Sequence, residues 1–394
     1  MDFSRTRSAF HLPEGITYLD GNSLGPMPIS AKKRALDMMQ DEWAELLIRG
    51  WNDAGWYDQP RRVGDLIAPL IGAGRGEVVL GDTLSIKVFQ AVSAACALNL
   101  SRRIILTDSG NFPSDIYVAK GIASAIGAEL RVVEPERLAQ SLTPDVAVLL
   151  VTEVDYRTGR RHDMPDIVKK AQAVGALTVW DLAHSAGALD VDLTATGAEF
   201  AVGCTYKYLN GGPGSPAFIW VKPEWADQAQ PILQGWMGHE RPFAFDQEYV
   251  AAPGIERMRV GTPPVIALSV LEAALQVWAD VDMTALRKRS LALTSAFIEQ
   301  VEAGSSDLRL VTPRDPAARG SQVSFAHPQA YALMQALIAK GVIGDFRAPD
   351  ILRFGFAPLY NDMADVDRAA ATLLALLRNG DWDRPEFNRK AKVT

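Results

Sequence analysis

The chain has 394 residues, 48% of them hydrophobic and 22% charged, too many for one small module and ordinary for a globular protein of two lobes. Its formal charge of −7, with no run rich in Lys or Arg, argues against nucleic acid and other polyanions as partners. Two cysteines and five scattered histidines, with no HExxH pattern, supply neither a disulfide framework nor the ligand spacing of a protein-held metal, and none is expected.

The first residues, MDFSRTRSAFHLPEG, lack the apolar core of a signal peptide. No apolar run approaches the roughly 20 residues that span a bilayer, so a reducing, cytoplasmic setting without membrane contact is expected. In chain order, Ile86 to Leu98 reads as a buried helix, Arg103 to Thr107 as a strand, Ile116 to Ile126 as a helix and Glu129 to Val133 as a strand. Asp145 to Thr152 is a strongly apolar strand, and Met164 to Val174 a helix with Pro165 in its first turn, where proline is tolerated. Strands follow at Leu177 to Trp180, Phe200 to Cys204 and Ala217 to Val221. Apolar strands alternating with helices predict an α/β lobe whose mostly parallel sheet is covered on both faces. After about Gly261 the texture changes. Helices at Val265 to Ala279, Met283 to Val301, Ala330 to Lys340 and Met363 to Arg378 alternate with strands near Leu308 to Val311, Gln322 to Phe325, Val342 to Phe346 and Leu352 to Phe356, the pattern of a smaller α+β lobe. The expected division is 1–50 as a segment packing with the small lobe or a partner subunit, 51–262 as the large lobe, and 263–394 as the small one.

The chemistry concentrates between Thr178 and Ser215. Asp181 ends one strand and is followed by LAHSAG; the next strand runs into Thr205-Tyr206-Lys207-Tyr208 and a glycine-rich turn. Ligands of doubly wound sheets gather at the carboxyl ends of strands. A carboxylate and a lysine at neighbouring strand ends suit pyridoxal phosphate, which needs an amine for its aldehyde and an acid to keep its ring nitrogen protonated. Alone, a strand-end Asp is more often a cap and a Lys a solvated charge; together, with Lys207 flanked by two tyrosines that desolvate it, they are harder to explain as structure only. The GAGRG stretch from Gly72 to Gly76 lacks GxGxxG spacing and follows a helical segment, so a dinucleotide loop is rejected.

DLAHSAG followed by CTYKYLNGGPGSPAF resembles the pyridoxal-phosphate enzymes of fold type I, in the aminotransferase class V branch. More narrowly, YLDGNSLGP (Tyr18 to Pro26), NFPSD (Asn111 to Asp115), TYKYLNGGPG, GWMGHE (Gly235 to Glu240) and RFGFAPLYN (Arg353 to Asn361) are similar to the kynureninase family, in order and over nearly the whole chain. The resemblance implies that Asp181 partners the pyridine nitrogen, that Lys207 bonds the cofactor aldehyde and later shuttles protons, and that His184 contacts the cofactor. It implies that Phe112 stacks on the ring, that Asp115 and Thr152 line it, and that Leu84 and Ser85, opening a helix, hold the phosphate, as free N–H groups and the helix dipole allow. Tyr206, Trp236 and Thr262 complete the phosphate side, the last two from the partner subunit of an implied homodimer. Tyr206 is also the candidate proton relay at the substrate carbonyl.

For the substrate, Arg353 is the candidate ligand of the α-carboxylate, since a planar guanidinium binds carboxylates in bidentate fashion, and His239 either contacts the aromatic end or braces its own loop. Two departures stand out: Thr262 replaces an expected Asn in GTPP, and Lys87 replaces another in LSIK, at a position expected to be peripheral. The implied reaction is hydrolysis of L-kynurenine, or its 3-hydroxy form, to anthranilate or 3-hydroxyanthranilate and L-alanine, a step of tryptophan catabolism. An aminotransferase or a cysteine desulfurase of the same branch is the rival; desulfurases use a mobile cysteine in the C-terminal lobe, whereas Cys96 and Cys204 both precede Lys207. A catalytically idle α/β binding protein would need Lys207 solvated.

Overall fold

A computed structural model describes residues 2–389. After the short strand β1 (Thr17–Tyr18), seven strands build the central sheet: β2 (Val78–Leu80), β3 (Ile104–Asp108), β4 (Glu129–Val133), β5 (Val146–Thr152), β6 (Leu177–Asp181), β7 (Phe200–Gly203) and β8 (Phe218–Val221). Their order is β2-β8-β7-β6-β5-β3-β4. Strands β3 to β7 are mutually parallel, and β8 runs antiparallel to both of its neighbours, β7 and β2.

Every residue of β3, β5 and β6 is buried, as expected of strands covered on both faces. Alternation decides which face each side chain serves. Val78, Leu80, Leu106, Val151 and Trp180 join one apolar core with the helices Gln59–Ile67, Met164–Ala173 and Val265–Leu275; Val79, Ile105, Leu150 and Val179 join another with Leu84–Leu98 and Pro113–Ile126. The chain steps outward from β3 to β4 and returns to β5 on the other side of β3, so the strand order reverses between β3 and β5. That reversal opens a crevice at the carboxyl ends of the strands.

The C-terminal part contains β9 (Arg309–Leu310), β10 (Gln322–Ala326), β11 (Val342–Ile343), β12 (Asp345–Arg347) and β13 (Ile351–Gly355). An antiparallel sheet of order β12-β13-β10-β9 packs with the helices Met283–Gly304, Ala330–Ala339 and Met363–Asn379 around a third core. β11 instead pairs in parallel with β1, and Arg7 NH1 reaches Asp365 Oδ2 at 2.7 Å; both tie the N-terminal segment to this region. The one strand expected over Val342 to Phe346 is therefore two, in different sheets. Gly344 divides them, because a Cβ there would meet the carbonyl oxygen of Arg353 at 2.7 Å. The helix begun at Val265 tightens into a 3₁₀ turn at Gln276–Trp278. No helix among the described residues is long and apolar enough to cross a membrane.

Candidate active site

At the carboxyl ends of the central-sheet strands the fold brings together Phe112, Asp115, Thr152, Asp181, His184, Tyr206 and Lys207. Asp181, last in β6, is level with Thr152 at the end of β5 and with Val202 in β7. Its Oδ1 accepts from Ala183 N at 2.8 Å, and its Oδ2 from Thr152 Oγ1 at 3.4 Å. The turn after β7 brings Lys207 Nζ to 3.0 Å from His184 Nε2, 5.9 Å from the centre of the Phe112 ring and 5.8 Å from that of Tyr206. Phe112 is half-exposed and meets Tyr156 edge-on, with ring centres 5.1 Å apart, so a face of its ring is available to a flat ligand.

Asn111, which sequence reasoning quoted within NFPSD without assigning it a role, fastens this loop. Its amide donates to Thr107 Oγ1 at 3.0 Å, and its Oδ1 accepts from Phe112 N at 2.7 Å and from Thr152 Oγ1. Below it, Asp108 Oδ2 is 2.7 Å from His162 Nε2, and Asp108 Oδ1 accepts from Gly110 N at 2.8 Å. The signal for Asn111 was an amide directly after a strand end and before an aromatic-proline pair.

The electrostatics separate two buried carboxyls. Burial pushes both Asp115 and Asp181 up. Asp115 goes the further because the charge of Asp181 repels its own, while Lys207, Ala183 N and Thr152 pull Asp181 back towards ionisation. Asp115 is thus the carboxyl of the two that holds its proton the more tightly. Burial and the nearby Lys207, Arg353 and Arg347 cations hold His184 well below the usual imidazole range, so it stays neutral and accepts from Lys207.

These residues fit the flat, phosphorylated aldehyde suggested by the sequence. Asp115 Oδ2 and His184 Nδ1 are buried without a hydrogen-bond partner among the described residues, a cost of about 1–3 kcal/mol each that a polar ligand relieves. The helix Leu84–Leu98 begins without a side-chain cap, leaving N–H groups for an anion. Ser85 Oγ lies 2.8 Å from Ser114 Oγ, which joins that helix end to the Phe112 loop and adds Ser114, quoted within NFPSD but given no role of its own.

Other sequence candidates lie elsewhere. No hydrogen bond or ring contact among the described residues links Trp236, His239 or Thr262 to the Lys207 cluster. Trp236 packs on Phe243 and Phe245. Thr262 lines an apolar cleft of about 730 Å³ together with Met38, Trp43, Trp51 and Trp56. Both ring nitrogens of His239 face its own loop, at 3.1 Å from Glu248 O and 2.8 Å from Arg241 N. Arg353 is buried, and its Nε donates to Asp345 Oδ1 at 2.7 Å. Lys87, expected at the periphery, is fully buried, with Nζ donating to Gln90 Oε1 and Met258 O at 2.9 Å each.

Comparison with known proteins places this site in a family. The kynureninase C-terminal domain family matches residues 286–373. A kynureninase of Pseudomonas fluorescens is 49% identical over 98% of this chain and 95% of its own, and one of Burkholderia pseudomallei is 49% identical over the same shares. Among solved structures, a cysteine desulfurase of Thermococcus onnurineus superposes with a TM-score of 0.81 at 18% identity, covering 95% of this chain and 98% of its own. A cysteine desulfurase of Escherichia coli gives 0.80 at 19%, covering 96% and 99%. At such identities the structural likeness establishes the fold alone, the α/β fold those desulfurases share. The sequence identity over 98% of the chain shows that it belongs to the kynureninase family.

Proposed function

We propose that the chain is a pyridoxal-phosphate enzyme that hydrolyses the side chain of L-kynurenine, or of its 3-hydroxy form, to anthranilate or 3-hydroxyanthranilate and L-alanine. The observation that carries the reading is the Lys207–His184–Asp181 constellation under Phe112 in a chain 49% identical, end to end, to kynureninases. When bound, the cofactor supplies an aldehyde for amines and a ring that accepts electrons from bonds to the α- and β-carbons.

The chain's own residues do the rest. Lys207 Nζ holds and moves the proton at the substrate α-carbon, and neutral His184 orients that amine through Nε2. Asp181, whose Oδ2 accepts from Thr152 Oγ1, would face the ring nitrogen of the bound cofactor. Leu84, Ser85 and Tyr206 would hold its phosphate. Tyr206, whose ring centre lies 5.8 Å from Lys207 Nζ, is the candidate proton relay at the substrate carbonyl, although burial raises its pKa and makes it a weaker acid.

A desulfurase reading, which the fold also admits, lacks its nucleophile. Burial pushes the Cys96 thiol up to about 12 and raises Cys204 as well, and only a thiolate attacks sulfur. Both buried thiols are free, which agrees with a reducing compartment such as the cytoplasm.

The test is fluorescence of anthranilate released from L-kynurenine without any keto acid. Wild-type holoenzyme is expected to release it, and Lys207→Ala to lose about 10³-fold or more in turnover. Dominant amino transfer to an added keto acid, with no anthranilate, would overturn the reading.

A further inference from the structure

Asn111 has no freedom to turn its amide. It is buried, its nitrogen donates to Thr107 Oγ1 at 3.0 Å and to Leu150 O at 3.5 Å, and its oxygen accepts from Phe112 N at 2.7 Å and from Thr152 Oγ1. A side-chain amide has two N–H donors and an oxygen with two lone pairs, so every hydrogen-bonding group is used. Turned end for end, the amide would set its NH2 against the Phe112 N–H, donor against donor. The oxygen must therefore face Phe112 and Thr152.

That orientation decides where the Thr152 proton goes. A hydroxyl has one proton to give, and two oxygens compete for it, Asn111 Oδ1 and Asp181 Oδ2. The second lies at 3.4 Å, the far end of hydrogen-bonding range, and Asn111 presents Thr152 with an acceptor only. The proton thus belongs to Asn111, and Thr152 turns mainly lone pairs towards Asp181. Among the described residues, Asp181 is left with one firm donor, Ala183 N at 2.8 Å. A carboxylate short of donors is the stronger base. The titratable groups that face Asp181 are Lys207, Asp115, Cys204 and Tyr206; the bonds of Asn111 go to none of them.

We propose that Asn111 is a positioning residue for the cofactor, drawing the Thr152 proton away from Asp181 and so keeping Asp181 basic towards the ring nitrogen. This rests on the reading of the site as one for pyridoxal phosphate with Asp181 at that nitrogen. A more basic Asp181 holds the ring more positive, and a positive ring disfavours a proton on the nitrogen that joins the cofactor to Lys207. The titration of that nitrogen, visible in the absorbance of the bound cofactor, therefore reports on Asp181.

The experiment follows the cofactor absorbance of the holoenzyme against pH. Asn111→Ala releases the Thr152 proton to Asp181 and is expected to raise the midpoint by about 0.3–1 pH unit. Thr152→Val has no proton to release, so adding Asn111→Ala to it is expected to move the midpoint by no more than about 0.1 pH unit. Asn111→Ser keeps an oxygen near the Phe112 N–H but is one bond shorter towards Thr152. It is expected to match Asn111→Ala, and it serves where the alanine variant does not fold. A midpoint unmoved by these variants, or moved equally in the Thr152→Val background, overturns the proposal. A failure of the functional reading is separate, since pyridoxal phosphate added to the wild type would then give no absorbance band that borohydride removes.

Discussion

Lys87 illustrates how far a single residue's meaning depends on what closes over it. Its sequence neighbours suggested a peripheral helix position; in the fold its amine is sealed between Gln90, Met258 and, at 3.7 Å, Asp82. Burial lowers its pKa from 10.5 to about 8, Asp82 opposing the shift and Arg259 adding to it. The unfolded chain therefore binds more protons than the folded one between about pH 8 and 10.5, and stability rises with pH across that window. Below about pH 8 the contribution is constant and unfavourable. Between pH 7 and pH 10 the gain attributable to Lys87 is about 2–3 kcal/mol. Urea unfolding of wild type and Lys87→Gln at those two pH values measures it; the variant is expected to lose that increment, and identical pH dependence in both proteins would contradict the assignment.

At the scale of the element, the site depends on the ends of strands and on the turn that carries Lys207. That turn is fixed from outside. Gly25 N donates to Tyr206 O at 2.8 Å, and a Cβ on Gly25 would lie 2.3 Å from both Lys207 O and Asn210 Oδ1. The GNSLGP segment, far away in sequence, is thereby a strut under the Lys207 turn. Gly25→Ala must displace that turn, with a stability loss of about 1–3 kcal/mol from overpacking. The expected result is a lower melting temperature together with weaker cofactor binding, both read by thermal melts and absorbance titration. A melting temperature and cofactor affinity equal to the wild type's would show that the turn tolerates the contact. The strands themselves were legible in the sequence because buried parallel strands are continuous apolar runs. β1 and β2, of two and three residues, were not read, being too short to show a period. The division at Gly344 was not read either, since it arises from a close approach by the Arg353 backbone.

For the whole molecule, the residues left unattached to the Lys207 cluster share a surface character. Met39, Trp43, Leu47, Ile48, Phe243 and Phe245 are exposed apolar side chains, and Leu47 and Phe245 hold positive φ values of 52° and 53°, a conformation costly for side chains other than Gly, Asn or Asp. An apolar surface of this kind marks an interaction face. The homodimer implied by the family resemblance would cover it and would bring Trp236 and Thr262 to the neighbouring site. Sedimentation of the wild type is expected to show a dimer, and Trp43→Glu with Leu47→Glu to shift it towards monomer with weakened cofactor binding. A wild-type monomer at micromolar concentration would remove the dimer from the account.

The sequence by itself determined what is periodic or local along the chain: the α/β alternation, the strand-end positions of Asp181 and Lys207, and the aromatic-proline loop at Phe112. These follow from burial and turn chemistry acting over a few residues, so they are legible in one dimension. Only the tertiary structure decided which charges meet. Arg353 looked free until Ser23 and Tyr156 arrived from distant parts of the chain, and Asp345 from the neighbouring strand β12, to occupy it. Lys87 was buried by Met258. A cation's chemistry is set by the acceptors and the solvent within a few ångströms of it, and packing, not adjacency in sequence, chooses them.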